Sequence, residues 1–387
     1  MVTSIPKATS TLVPIISLAM MGGWVDPGGV VAAPLDELLS VQQETRPFHG
    51  EVEAGWDGMN EYLDVFGVRE EDPRGKNIGD YSGQHLRGGL ALDRRLWSDG
   101  SFWQRTVKTP FDRGDNKTYQ AGIQYQVTDN RDKIPAISLR ISGWGNSSSE
   151  AIKGSPTPVY GTGFMTDSIA IKKPSDRQFQ GDIIGSWALT PSTSISLFAS
   201  QGISEVKVGD IFASFGDCNY KIERVLQPDE VNGGWDSAVN GKAVDVNNPN
   251  CGITSFTIPM SAYNAPELPP GMYVSYDASY YQLGGMTQWN NHDWRFRLGY
   301  RYQKWDRGEL DDSIALLQHV DKTVYDTNHH ITGEISYKLH PNVAAYARSQ
   351  YMTNQFLGEV PYSYNLFSSH KFEKPYGFLS FGLSAGF

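Results

Sequence analysis

The chain has 387 residues, of which 40 are Gly, 12% are aromatic and only 20% are charged. That aromatic content and low charge exclude an intrinsically disordered chain, and the composition is not the Ala, Glu, Lys and Leu of a long-helix protein. A net charge of −10 makes nucleic acid a poor partner, because sequence-independent binding to it needs clustered Lys and Arg.

Lys7 is the only charge before Asp26. Between them runs the apolar block Leu12–Met21, and small residues follow at Val30-Val31-Ala32-Ala33. This order predicts a secretory signal over residues 1–33, with Ala32 the better cleavage site because Pro34 follows Ala33. Elsewhere no run approaches the ~18 apolar residues that a membrane helix needs. The chain is then either a soluble β-rich protein or one that crosses a membrane as a closed barrel, since only helices and closed barrels satisfy their backbone in lipid.

Period-two alternation dominates the rest. Tyr119, Ala121, Ile123, Tyr125 and Val127 oppose Gln120, Gly122, Gln124 and Gln126. Trp294, Phe296, Leu298, Tyr300 and Tyr302 oppose Arg295, Arg297, Gly299, Arg301 and Gln303. The spacing predicts about 12 strands, over 49–58, 84–93, 96–108, 117–129, 134–147, 178–189, 194–208, 272–289, 294–308, 326–339, 343–359 and 375–387. A further hairpin partner at 62–69 or 164–173 would raise the number to about 14. Short polar turns, such as Thr190-Pro191-Ser192-Thr193 and His340-Pro341-Asn342, alternate with long links such as 59–83, 148–177 and 209–270. Segment 209–270 reads as the largest irregular loop. It holds both cysteines and eight acidic against three basic side chains, and is expected either to fold into a barrel mouth or to lie outside it.

The last strand, Tyr376-Gly-Phe-Leu-Ser-Phe-Gly-Leu-Ser-Ala-Gly-Phe387, sets Leu379, Phe381, Leu383, Ala385 and Phe387 on one face and small residues on the other. Closing on Phe387, it resembles the C-terminal signature of Gram-negative outer-membrane proteins. The resemblance implies an all-β, transmembrane, antiparallel up-and-down barrel in the bacterial outer membrane, with short periplasmic turns and long extracellular loops. It implies a porin-like passage of small hydrophilic solutes, and no enzymatic activity is expected. The partners implied are outer-membrane lipid, lipopolysaccharide and the barrel-assembly machinery, which would read Phe387 as an assembly signal. Residues 34–48 then form a periplasmic segment and 49–387 the barrel. Trp56, Trp187, Trp294, Tyr300, Tyr302 and Tyr337 would supply interface girdles.

Within that frame Arg295, Arg297 and Arg301 share the inward face of one strand, with Lys338 and Arg348 on neighbouring strands and Arg87, Arg105 and Arg140 on the opposite half. Basic rings select anions, so these residues are expected to line the pore and favour anions. Inward acids at Glu51, Glu53, Asp57, Asp93, Asp182, Asp277 and Glu334 would pair with some of them, and a fully paired structural ladder is the alternative. Cys218 and Cys251, the only cysteines, are expected to bond in an oxidising exported space. No cofactor or metal site is expected. No Cys-x-x-Cys occurs, and His329 and His330 point to opposite faces of a strand. Gly382-Leu-Ser-Ala-Gly386 matches a hydrolase pattern but lies within a strand that leads into no helix. Two rivals remain: an outer-membrane lipid-modifying enzyme (a lipase or deacylase), and the barrel of an adhesion or secretion assembly. No motif identifies the solute or the oligomeric state.

Overall fold

The computed structural model describes residues 38–41, 48–65, 79–108, 112–129, 134–154, 156–159, 164–228, 235–249, 251–259, 275–316, 323–365 and 368–387. The expected signal over 1–33 lies outside them.

In chain order the strands are β1 Gly50–Met59, β2 Asp80–Ala91, β3 Leu96–Lys108, β4 Asp112–Thr128, β5 Ala136–Ser147, β6 Glu150–Lys153, β7 Thr157–Val159, β8 Phe164–Thr166, β9 Ser168–Lys172 and β10 Ser175–Thr190. Then follow β11 Thr193–Lys207, β12 Ile211–Phe215, β13 Cys218–Pro228, β14 Trp235–Ala243, β15 Ser255–Pro259, β16 Tyr276–Asn291, β17 Trp294–Asp306, β18 Thr327–His340, β19 Val343–Met352 and β20 Tyr376–Gly386. One α-helix, α1, spans Glu309–Leu316 among the described residues.

Twelve of these strands close a barrel, each antiparallel to the next: β1, β2, β3, β4, β5, β10, β11, β16, β17, β18, β19 and β20. The second half pairs in the same way, and β20 returns to β1 with Glu51 opposite Gly386 and Gly58 opposite Leu379. Closure leaves the wall no edge strand, so every strand finds both neighbours.

The pleat sorts the side chains inside out relative to a soluble protein. Ile123, Ile141, Phe179, Ile183, Leu197, Leu283, Leu298, Ile331, Ile335, Phe381 and Leu383 are exposed on the outer face. Gln120, Arg140, Gln178, Asp182, Gln282, Arg301, Gln303 and Glu334 are buried in the interior. A continuous apolar belt of this extent suits lipid and not water. Aromatic residues gather near the short turns, where the Trp294 and Tyr337 rings meet at a tilt, 4.7 Å apart, and Trp289 stacks on Phe296 at 5.2 Å. Toward the long loops, Tyr300 and Tyr302 flank His329, at 6.1 and 5.2 Å.

The barrel holds the smaller of the two strand numbers. Residues 164–172 instead form β8 and β9 outside the wall. Segment 209–270 corrects a sequence expectation, because its described residues are mostly strand and not irregular loop. Starting from the outer end of β4, the sheet continues through β6, β9, β12, β13, β14 and β15. Ile169, Ile171 and Ile211 form one small core of this extension, and Cys218, Tyr220 and Ala243 another. Alternation in it is broken by Gly, Pro and Asn, which hides short strands from a period count.

Candidate functional site: a filled, ionised lumen

The barrel interior is occupied in three layers among the described residues. Near the short turns, Leu39 and Val41 enter the lumen and pack on inward Ala136, Ile184 and Phe198. Two hydrogen bonds fix them: Val41 N donates to Ser186 Oγ at 2.9 Å, and Gln124 Nε2 donates to the Ser40 carbonyl at 3.2 Å.

Near the long loops, the chain turns inward after Met352, where the sequence pattern had suggested that the strand runs on to 359. Residues 353–365 descend into the mouth and carry Leu357, Tyr362 and Tyr364 against Trp305, Tyr280, Tyr276 and the α1 residues Leu310 and Ile314. Gly358 makes this path possible. Its φ is +86°, and a Cβ there would stand 2.3 Å from Gln303 Oε1. Tyr276 OH donates to the Pro361 carbonyl at 2.7 Å, and Tyr362 OH donates to Asn116 Oδ1 at 3.0 Å. Burial pushes the Tyr364 hydroxyl up to about 12, against the opposing charge of Arg307, whose guanidinium lies 4.2 Å from the ring centre.

Between the two plugs lies a layer of ionised side chains. Arg348, on β19, bonds Glu334 at 2.8 Å and Glu53 at 3.1 Å. Glu334 also takes Arg297, and Arg295 at 3.8 Å, while Arg87 lies 3.6 Å from Glu53. His85 sits between Asp57, at 3.0 Å from Nδ1, and the Tyr346 hydroxyl, at 2.6 Å from Nε2. On the far wall Arg140 meets Asp99 at 2.7 Å and Asp182 at 3.5 Å. Glu359 on the inward loop faces Arg301 and His330, each at 3.6 Å, and Arg105 at 3.8 Å.

The structure therefore brings the expected lumen residues Arg87, Arg105, Arg140, Arg295, Arg297, Arg301 and Arg348 inside, with Lys338 at the short-turn rim. It does not leave them as an open basic ladder. The acid that the inward face of β17 lacks comes from Glu334 on β18 and from Glu359 on a loop that the sequence pattern reads as strand. Asp277 is a second correction. It is exposed on the outer face, because Tyr276, Ala278 and Tyr280 take the inward positions of β16. Asp93 lies exposed in the turn after β2. Gly358 and Pro361, two breakers soon after Met352, were the available signal for the inward loop.

The hydrolase-like pattern has a packing origin. The Tyr346 ring lies across Gly382 and Gly55, where a Cβ would come within 2.5 and 2.2 Å of its hydroxyl. Ser384 is buried in the wall. His329 faces outward and shares a 2.8 Å hydrogen bond with Tyr300, whereas His330 faces the lumen. Cys218 and Cys251 are joined in the outer extension, with Cα atoms 5.3 Å apart.

No protein-family model matches the sequence, and no curated protein does. Solved structures do resemble it in fold. The CymD monoaromatic hydrocarbon channel shares 13% identity, with 96% of this chain and 97% of that one covered and a TM-score of 0.39. The toluene transporter TbuX of Ralstonia pickettii shares 12%, with 93% and 96% covered and a TM-score of 0.40. The KdgM porin shares 7%, with 87% and 99% covered and a TM-score of 0.36.

Proposed function

We propose that the chain is a bacterial outer-membrane channel for small hydrophilic solutes, seen here with its lumen filled. The observation that carries this reading is the inside-out barrel: an apolar, aromatic-girdled exterior around an interior of ionised and amide side chains. A barrel with a purely structural interior gains nothing from burying so many charges, since a buried ion pair is a weak source of stability. Twelve strands lie between the filled eight-stranded barrels and the open sixteen-stranded porins, so the pathway is narrow.

In this reading residues 1–33 direct export, the short turns face the periplasm, and the extension formed by β6, β9 and β12–β15 stands outside the cell. Phe387 serves as the assembly signal, and lipid and lipopolysaccharide surround the belt. Leu38–Val41 obstruct the periplasmic mouth and residues 353–365 the outer one.

Reconstitution in planar lipid bilayers tests the reading. Stepwise conductance, with events that lengthen when either plug is loosened, is the expected result. A bilayer that stays sealed with wild type and plug variants alike, while the protein is inserted and folded, would overturn it.

A further inference from the structure

We propose that the middle of the lumen is a carboxylate-binding site centred on Arg105, and that the solutes are small monocarboxylates with an apolar body. The identification of these as solutes rests on the channel reading above; the site itself does not.

Arg105 is buried, and two of its guanidinium nitrogens, Nε and Nη1, have no hydrogen-bond partner among the described residues. The Tyr81 hydroxyl and the Trp144 indole nitrogen are buried and lack partners too. All three side chains line one cavity of about 30 Å³ in the ionised layer. Buried donors without acceptors are unfavourable, so a cluster of them around one space asks for a strong acceptor.

Glu359 supplies charge there but not the bonds. Its carboxylate stands 3.8 Å from Arg105 Nη1, beyond the ~2.7–2.9 Å of a charge-assisted hydrogen bond. The loop carboxylate thus occupies the role of a ligand at arm's length. An incoming carboxylate that bonds Arg105 directly replaces it as the counter-charge and frees the inward loop from this wall.

The rest of the cavity selects the body of the solute. Trp103 is held between Arg87 and Arg105, whose guanidinium carbons lie 5.0 and 5.3 Å from its ring centre. With Phe378 and Trp144 it adds aromatic surface to the lining beside the donors. As it stands the cavity holds about one water's volume, enough for a head group. The body takes space that Glu359 and its loop give up.

Binding to the folded protein in detergent micelles, read by tryptophan fluorescence and calorimetry, tests the site with three probes of one shape: benzoate, benzyl alcohol and benzylammonium. Benzoate is expected to bind roughly tenfold or more tightly than either isostere. Arg105→Gln removes that preference. Glu359→Gln strengthens benzoate alone by roughly tenfold, because it deletes the internal competitor. Tyr81→Phe, which keeps the ring, weakens benzoate alone. Each variant is first checked for the compact, heat-modifiable form on a gel. Equal binding of the three probes, or wild-type benzoate affinity in Arg105→Gln, would overturn the site and leave the cavity to water. Bound benzoate in a protein that never conducts keeps the site and overturns the channel reading; conductance without head-group discrimination does the reverse.

Discussion

Phe387 and Gly50 exchange two backbone hydrogen bonds, at 2.9 and 3.0 Å, and the Phe387 ring lies where a Gly50 side chain would stand. A Cβ at Gly50 would come within 2.6 Å of that ring and 2.7 Å of the Gly89 carbonyl. Gly50→Val is therefore expected to open the seam between β1 and β20, at an overpacking cost of about 1–3 kcal/mol. Its barrel should lose the difference in gel mobility between unheated and boiled samples. Phe387→Ala should lower the assembled fraction severalfold, and Ser384→Ala should leave it near wild type.

The short-turn plug packs Leu39 and Val41 into the lumen and is tied to the wall by the hydrogen bonds of Val41 N and the Ser40 carbonyl. Replacing Leu39 and Val41 together with Ser should release it, with little loss of barrel stability, because the wall ladder is untouched. Single-channel conductance should rise relative to wild type. Unchanged conductance would mean that Leu38–Val41 do not obstruct the path.

Arg348 joins two carboxylates on opposite sides of it. Arg348→Met leaves Glu53 and Glu334 with less counter-charge in a buried site, and should cost about 3–5 kcal/mol. Thermal unfolding in detergent measures it. Arg295→Gln, at a side chain that stands 3.8 Å from Glu334, should cost clearly less.

Pairing also sets selectivity. Because acids meet the Arg residues of the lumen, the reversal potential of the wild type in a salt gradient should lie near zero. Changing Arg295, Arg297 and Arg301 together to Glu should drive it firmly toward cation preference. A strong anion preference in the wild type would show that the pairs open when the channel does.

Folding raises Tyr364 from 10.0 to about 12, through burial. Its contribution to loop stability is thus fully present below pH 10.0 and is lost as pH rises through about 12. The difference in tyrosinate absorbance between wild type and Tyr364→Phe should appear near that higher value. A step at the ordinary tyrosine position would place the ring in water.

The Cys218–Cys251 bond closes a separation of 33 residues, for which chain entropy gives roughly 3–4 kcal/mol. Reduction should loosen the outer extension to protease while the heat-modifiable barrel persists. Simultaneous loss of both would tie the extension to the wall.

The wall was legible because lipid outside and polar side chains inside impose one rule on every strand. Strand β17 shows it: each of Trp294, Phe296 and Leu298 alternates with an inward Arg or Gly. The interior was less legible. Glu359 meets Arg105, Arg301 and His330 only because residues 353–365 leave the pleat, and distance in the chain conceals that meeting. Leu39 and Val41 fall in the expected periplasmic segment 34–48, and their place in the lumen was hidden because two apolar residues carry no period. Asp277 was placed inside by a one-residue slip in the alternation, and such a slip moves every side chain to the other face.

Strands β11 and β16 pair without a break from Thr193 opposite Trp289 to Val206 opposite Tyr276, although the chain leaves the wall between them for the whole of the β12–β15 excursion. The two strands hold their register by their own ladder. The excursion is thus an insert hung between adjacent staves, and changes in its length and sequence leave the ladder on either side of it in place. The same property makes it the natural place to graft an epitope or affinity tag without disturbing the wall.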